Sequence, residues 1–184
     1  FIGIFKTSAE SKLAQLGKSE KMSGWLALKK TAQNLLKYDT VYGRSPFEVE
    51  FKEGKLLVKG KEIAFVQERE PAKLPWKDLN IDIVVESTGF FTTYEGAKFH
   101  LDAGAKRVVV SAPMKEGDVP PGISGATVLM GVNQQELATC QISSNASCTT
   151  NATSPLIAIL KESIGIEKAV LNTVHAYTAS QALV

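Results

Sequence analysis

From Ile81 onward, short β-branched runs alternate with segments of helical texture, and this alternation restricts the fold more than any other feature. IDIVVEST is a continuous apolar run ending at Thr88 and Gly89. Such a run suits a strand covered on both faces of a sheet. YEGAKFHLDAG reads as a short helix with Gly104 near its end, and AKRVVVSAP repeats the buried-strand pattern. GDVPPGISGATVLM is a loop leading into an apolar run, TCQISSNA a strand entering a turn, CTTNATSPLIAILKESIG a helix, and KAVLNTVHAYT another strand. The alternation of strand and helix predicts an α/β fold, a parallel sheet with helical crossovers. Ligands of such sheets sit at the carboxyl ends of the strands. The residues expected there are Ser87, Thr88 and Gly89; Ser111, Ala112 and Pro113; and Ser144 to Cys148. All three groups are small or carry hydroxyls, so a ligand can approach the backbone closely.

The amino-terminal third has a different texture. In MSGWLALKKTAQNLLKY the apolar residues Met22, Trp25, Leu26, Ala32, Leu35 and Leu36 recur at three- and four-residue steps, which predicts an amphipathic helix that packs. A shorter helix is expected over residues 8–16, stopped by Gly17. FEVEFKEGKLLVKGKEIAFVQE then alternates apolar and polar residues, and predicts small antiparallel strands turning at Glu53-Gly54 and Lys59-Gly60. PAKLPW is a connector with two prolines.

Charge narrows the partners. The 21 basic and 19 acidic residues leave a net charge of +2 on 184 residues, with no electrostatic case for nucleic acid or a membrane surface. No apolar run approaches bilayer length. FIGIF is too short for a signal-peptide core. Two cysteines, Cys140 and Cys148, make no disulfide framework and point to a reducing compartment. A start at Phe1 and a stop at Val184 lead us to expect a fragment, a processed product or a partial chain.

Cys148 is the most informative residue. SNASCTTN places it at a predicted strand-to-helix junction, where free N–H groups and the helix dipole favour thiolate over thiol. A nucleophilic cysteine needs a base, and the sequence has two histidines, His100 and His175. His175 interrupts a strand pattern, and a chain returning antiparallel to the helix would bring it back towards Cys148. A structural cysteine has no need of so polar a turn, which favours the Cys148–His175 pair. Cys140, within a strand pattern, is expected to be a buried apolar side chain. His100 is expected on the surface of its helix. The sequence contains no G-x-G dinucleotide fingerprint and no cysteine or histidine cluster with metal-ligand spacing.

At these residues a resemblance becomes specific. LLKYDTVYGR, QEREPAKLPWKD, VVESTGFFTT, AGAKRVVVSAP, MGVN, SNASCTTN and TVHAYTASQ together resemble phosphorylating glyceraldehyde-3-phosphate dehydrogenases of glycolysis, over some four-fifths of the chain. The resemblance implies a Rossmann-like sheet, its first strand-turn-helix unit degenerate or missing, followed by the beginning of an α+β catalytic domain. The implied division is a divergent helical segment over 1–34, a dinucleotide-binding domain over 35–147, and the start of a truncated catalytic domain over 148–184. It implies oxidation and phosphorylation of the aldehyde of glyceraldehyde 3-phosphate, through a thioester on Cys148, with His175 activating the thiol. Arg69, Thr88, Gly89 and Ser111 would lie near the dinucleotide, NAD or NADP. Ser147, Thr149 and Thr178 would hold phosphate groups of the triose phosphate and inorganic phosphate. A cytoplasmic homotetramer is implied as well.

The departures are specific. The first 34 residues lack the glycine-rich turn and the acidic residue that holds the adenosine ribose; Gly3 in FIGIF stands alone. The family's catalytic domain continues far beyond position 184, and its cofactor-covering loop and a phosphate-binding arginine are missing from residues 1–184. Ala152 stands where many relatives have a second cysteine, and Glu70 where Asp is common. Two other functions compete: a non-catalytic relative that no longer binds the dinucleotide and acts as a binding module or partner chain, and a cysteine–histidine acyl hydrolase.

Overall fold

The computed structural model describes residues 33–176, apart from residues 40, 41, 53, 54, 65, 67 and 116. The helix expected over residues 8–16, most of the one beginning at Met22, the Glu53-Gly54 turn and Thr178 lie outside the described residues; residues 33–37 are helical.

Three sheets follow in chain order. β1 (Tyr38–Asp39) and β2 (Gly43–Arg44) form a short antiparallel pair. β3 (Val49–Lys52), β4 (Lys55–Val58) and β5 (Lys61–Ile63) form an antiparallel meander, as the period-two pattern predicts. At its second turn Lys59 and Gly60 both have positive φ, 53° and 72°. That is the backbone of a type I′ hairpin, whose twist matches the flanking strands. PAKLPW opens with a 3-10 turn over Pro71–Lys73 and leads to Trp76, which is buried.

The third sheet positions the site. β6 (Ile83–Glu86), β7 (Arg107–Val110), β8 (Gly125–Thr127) and β9 (Ile142–Ser144) are all parallel, in the order β6-β7-β9-β8. α1 (Tyr94–Asp102) crosses from β6 to β7, capped by the Thr93 hydroxyl, which accepts from the Gly96 N–H at 3.0 Å. Its inward face meets Val108, Val110 and Ile142 around Ala97. Each of the larger side chains contributes about 1.5–3 kcal/mol by leaving water. A second cluster joins Trp76 to Leu74, Val84 and Ala105 at the other end of the helix. α2 (Cys148–Ser163) leaves β9 through a short turn.

Three sequence expectations change. β6 is not sealed on both faces: Val84 and Glu86 are buried, but Ile83 is exposed, because β6 is the sheet edge and its second face is only partly covered by the described residues. His100 is not on the surface. It is fully buried, because the helix face that carries it turns onto Trp76 and the end of β6. KAVLNTVHAYT forms no strand over its described residues, 168–176. A strand exists through the ladder it makes with a neighbour, and no described strand pairs with it; Val170 and Val174 stand almost wholly exposed.

Gly104 carries the tightest contact behind the sheet. Its φ is +106°, and a Cβ built there would lie 2.6 Å from Lys77 Cβ and 2.9 Å from Lys77 Cα and N. The Lys77 N–H also donates to Ala103 O at 3.1 Å, so the Lys77 backbone cannot retreat freely. Gly104→Ala is expected to cost about 2 kcal/mol or more. Urea denaturation reads this directly; an unchanged midpoint would show that the Trp76–Lys77 segment yields.

Candidate active site

Parallel pairing brings three strand ends to one edge. Ser111 N–H donates to Glu86 O at 2.9 Å, tying the end of β7 to that of β6. Asn145 N–H donates to Val110 O at 3.1 Å, tying the exit of β9 to β7. The fully buried Ser144 reinforces this second tie: its hydroxyl donates to Ala112 O at 2.7 Å and accepts from Ala146 N–H at 3.0 Å. Neighbouring strands lie about 4.8 Å apart. Thr88, Ser111 and the turn before Cys148 therefore share one edge.

The turn into α2 is sharp. Ala146 has φ 59°, a left-handed conformation that non-glycine residues seldom adopt. Ser147 is the N-cap: its hydroxyl oxygen accepts from Thr150 N–H at 3.0 Å and shares a hydrogen bond with Thr150 Oγ1 at 2.7 Å. Asn151 braces the turn from inside the helix, its Nδ2 donating to Asn145 O at 2.6 Å and Ser147 O at 2.8 Å. Cys148 follows as the first helical residue, its thiol exposed.

His175 returns to it. The Sγ of Cys148 lies 3.2 Å from Nε2 of His175. The 15 residue steps along α2 advance about 22 Å at the helical rise. The chain from residue 164 to 175 can reach at least as far when extended. A full strand is therefore not needed to bring His175 back. Nδ1 of His175 lies 2.6 Å from Ala176 O, which can only accept, so Nδ1 carries a proton and Nε2 faces the sulfur. The hydrogen bond to His175, then that from the Thr149 backbone, hold the Cys148 thiol below the ordinary cysteine value against the opposing effect of desolvation. The Ala176 carbonyl, then the Cys148 sulfur, raise His175 above the ordinary histidine value. Both shifts favour thiolate beside imidazolium, which suits a nucleophile. Cys140 is the contrast: it is buried, and burial pushes its thiol up.

The remaining predicted residues fall as follows. Thr88 is half-buried, and Gly89 and Ser111 are exposed on the edge. Gly89 has φ +77°, with open space where a Cβ would stand. Arg69 is exposed in the loop before Pro71, where Glu68 Oε1 accepts from its backbone N–H at 2.6 Å; no described contact joins it to the Cys148 turn. The Ser147 hydroxyl is engaged in capping, and Thr149 is half-buried beside the thiol. Sequence reasoning missed the supports Asn151, Glu86 and Trp76. The acidic residue closing the apolar run of β6 was the available signal for Glu86.

A dinucleotide suits the edge in part. Gly89 leaves open space where a Cβ would stand, and Thr88 and Ser111 bring hydroxyl-bearing side chains to the same edge as the Cys148 turn. Among the described residues no metal-binding group of histidine, cysteine or carboxylate side chains occurs, and no helix is long and apolar enough to cross a membrane.

Residues 22–94 match the family model described as glyceraldehyde 3-phosphate dehydrogenase, NAD binding domain, and residues 147–184 match its C-terminal domain. The chain is 47% identical over 153 residues to glyceraldehyde-3-phosphate dehydrogenase of Thermotoga maritima, covering 83% of this chain and 44% of that protein. It is 46% identical to the Streptomyces coelicolor enzyme, over 82% of this chain and 44% of that one. It is 48% identical to the Chlamydia muridarum enzyme, over 82% and 43%. The chain spans less than half the length of these curated relatives.

Proposed function

Because the chain belongs to the glyceraldehyde-3-phosphate dehydrogenase family, we propose that it carries the thiol site and part of the cofactor edge of a phosphorylating, NAD-dependent aldehyde dehydrogenase. The substrate in this reading is glyceraldehyde 3-phosphate and the product 1,3-bisphosphoglycerate. The observation that carries it is the 3.2 Å contact between Cys148 and His175 at the capped start of α2.

The chain's own residues have definite work in this chemistry. The Cys148 thiolate attacks the aldehyde carbon, forming a C–S bond, and the electron pair moves to the carbonyl oxygen. His175 Nε2 holds the proton that stabilises this oxyanion and takes it back as the carbonyl re-forms. NAD, when bound, supplies the hydride acceptor that turns the adduct into a thioester. Phosphate then attacks the acyl carbon, and Cys148 leaves as a thiolate, the better leaving group for being held below the ordinary thiol value. Arg69, Thr88, Gly89 and Ser111 would lie near the dinucleotide. Ser147, Thr149 and Thr178 would hold phosphate oxygens; of Ser147, only capacity left over from capping is free for this.

The same reading places the division between cofactor domain and catalytic domain at residues 147 and 148, with a separate segment over 1–34. It carries with it a homotetramer and a cytoplasmic location; two unpaired cysteines accord with a reducing compartment. The expected result is phosphate-dependent NADH formation when the purified chain meets glyceraldehyde 3-phosphate, NAD and phosphate, followed by the absorbance that NADH has and NAD lacks. Turnover independent of NAD would count instead for a hydrolase.

A further inference from the structure

Behind the open edge of β6 lies a row of buried polar groups that the thiol chemistry does not use. Trp76, His100 and Glu86 are 1%, 0% and 1% exposed. An indole N–H can only donate, so Trp76 Nε1 donates to His100 Nδ1, at 3.1 Å. Nδ1 is then the acceptor, and Nε2 carries the proton, donating to Glu86 Oε2 at 2.9 Å. The Phe91 ring stands edge-on to the imidazole, with centroids 6.4 Å apart at 82°. The other carboxylate oxygen, Glu86 Oε1, accepts twice from one residue: from Thr88 N–H at 2.7 Å and from Thr88 Oγ1 at 2.5 Å. Thr88 Oγ1 in turn accepts from Phe90 N–H at 3.2 Å.

A buried carboxylate costs several kcal/mol unless its lone pairs are met, and an apolar core in its place is often no less stable. What an apolar side chain could not do is hold both donors of Thr88. We propose that Glu86 is a positioning residue for the dinucleotide edge, oriented by His100 and Trp76, and that it fixes the Thr88–Phe90 turn with the threonine proton directed inward. The consequence is chemical. With its proton committed to Glu86 and one lone pair to Phe90, Thr88 Oγ1 offers a ligand only an acceptor. The ligand group it meets is therefore an N–H or O–H donor, such as a carboxamide or a ribose hydroxyl, and not a phosphate oxygen. The inference rests on the reading that this edge faces NAD.

The test compares NAD affinity by calorimetry with amide hydrogen exchange at Thr88 and Phe90 measured without NAD. In Glu86→Gln, Trp76 still holds His100 Nε2–H as a donor, so the amide oxygen turns towards His100 and the new amide N–H meets the Thr88 N–H, donor against donor. The expected result is about tenfold weaker NAD binding and about tenfold faster exchange at both amides. Leu56→Ala, a buried change in the β3–β5 meander away from this row, should lower thermal stability without moving NAD affinity. Thr88→Val should weaken NAD as Glu86→Gln does, while Thr88→Ser keeps it, and this pair carries the test if Glu86→Gln does not fold. Unchanged NAD affinity in Glu86→Gln or Thr88→Val, with the wild-type chain binding, overturns the inference and leaves the family reading standing. A wild-type chain that does not bind NAD removes the reading instead; slow exchange at Thr88 and Phe90 that Glu86→Gln accelerates would still show that Glu86 holds the turn.

Discussion

Replacing Cys148 with alanine is expected to abolish phosphate-dependent NADH formation, a loss on the order of 10⁴-fold or more, because among the described residues no other group beside His175 can form the acyl bond. Thr149 and Ser147 flank the position, but a hydroxyl there has no activating base: the Ser147 oxygen is engaged with Thr150, and His175 Nε2 points at the sulfur. The same variant should lose its single fast-alkylating thiol. Cys140 supplies an internal control, since it is buried and its thiol is pushed up by that burial. Iodoacetamide counted by mass spectrometry should therefore modify one residue quickly in the wild-type chain and none in Cys148→Ala. Turnover surviving in the variant would remove Cys148 from the mechanism. Rapid labelling at Cys140 would mean that the core around Ile142 opens.

His175→Asn is expected to move the pH profile of Cys148 alkylation upward. In the wild-type chain the hydrogen bond to His175 is the leading cause that lowers the thiol, with Thr149 next. The thiolate thus persists to lower pH than in an ordinary cysteine. The raised His175 in turn keeps its proton to higher pH than an ordinary histidine. Without the imidazolium, the thiolate is lost earlier as pH falls, and the midpoint rises towards about 8.5, the value of a free thiol. At pH 7 alkylation should slow on the order of tenfold, because the greater intrinsic nucleophilicity of a more basic thiolate only partly offsets its scarcity. NADH formation should fall further than alkylation, since alkylation needs only the thiolate while turnover also needs the proton held at Nε2. A profile that does not move would assign the lowered thiol to the Thr149 hydrogen bonds and the start of α2 alone.

The elements with strong local signals were legible before any coordinates. β6, α1, β7, β9 and α2 each carry a run whose period and end signals agree, and their alternation implies parallel pairing. Gly104 and the Lys59-Gly60 turn were readable for the same reason: a positive φ is a local demand with a local answer. The buried row was not. Trp76 and His100 are 24 residues apart, and His100 and Glu86 are 14 apart. The helical pattern of YEGAKFHLDAG leaves the side of His100 undecided, since about half a turn of rotation suffices to take a residue from solvent to core.

The strand expected in KAVLNTVHAYT shows the opposite error. Its composition favours β structure, but a strand is completed by hydrogen bonds to a neighbour, and none of the described strands offers them. By itself the sequence determined the chemistry on offer: a cysteine at a polar strand-to-helix turn, one histidine downstream able to serve it, and small or hydroxyl residues at the strand ends. Tertiary structure alone decided which groups meet. It set Nε2 of His175 3.2 Å from the sulfur and turned His100 inward onto Glu86. A hydrogen bond acts over about 3 Å and is indifferent to distance along the chain, so only the folded path of the backbone selects its partners.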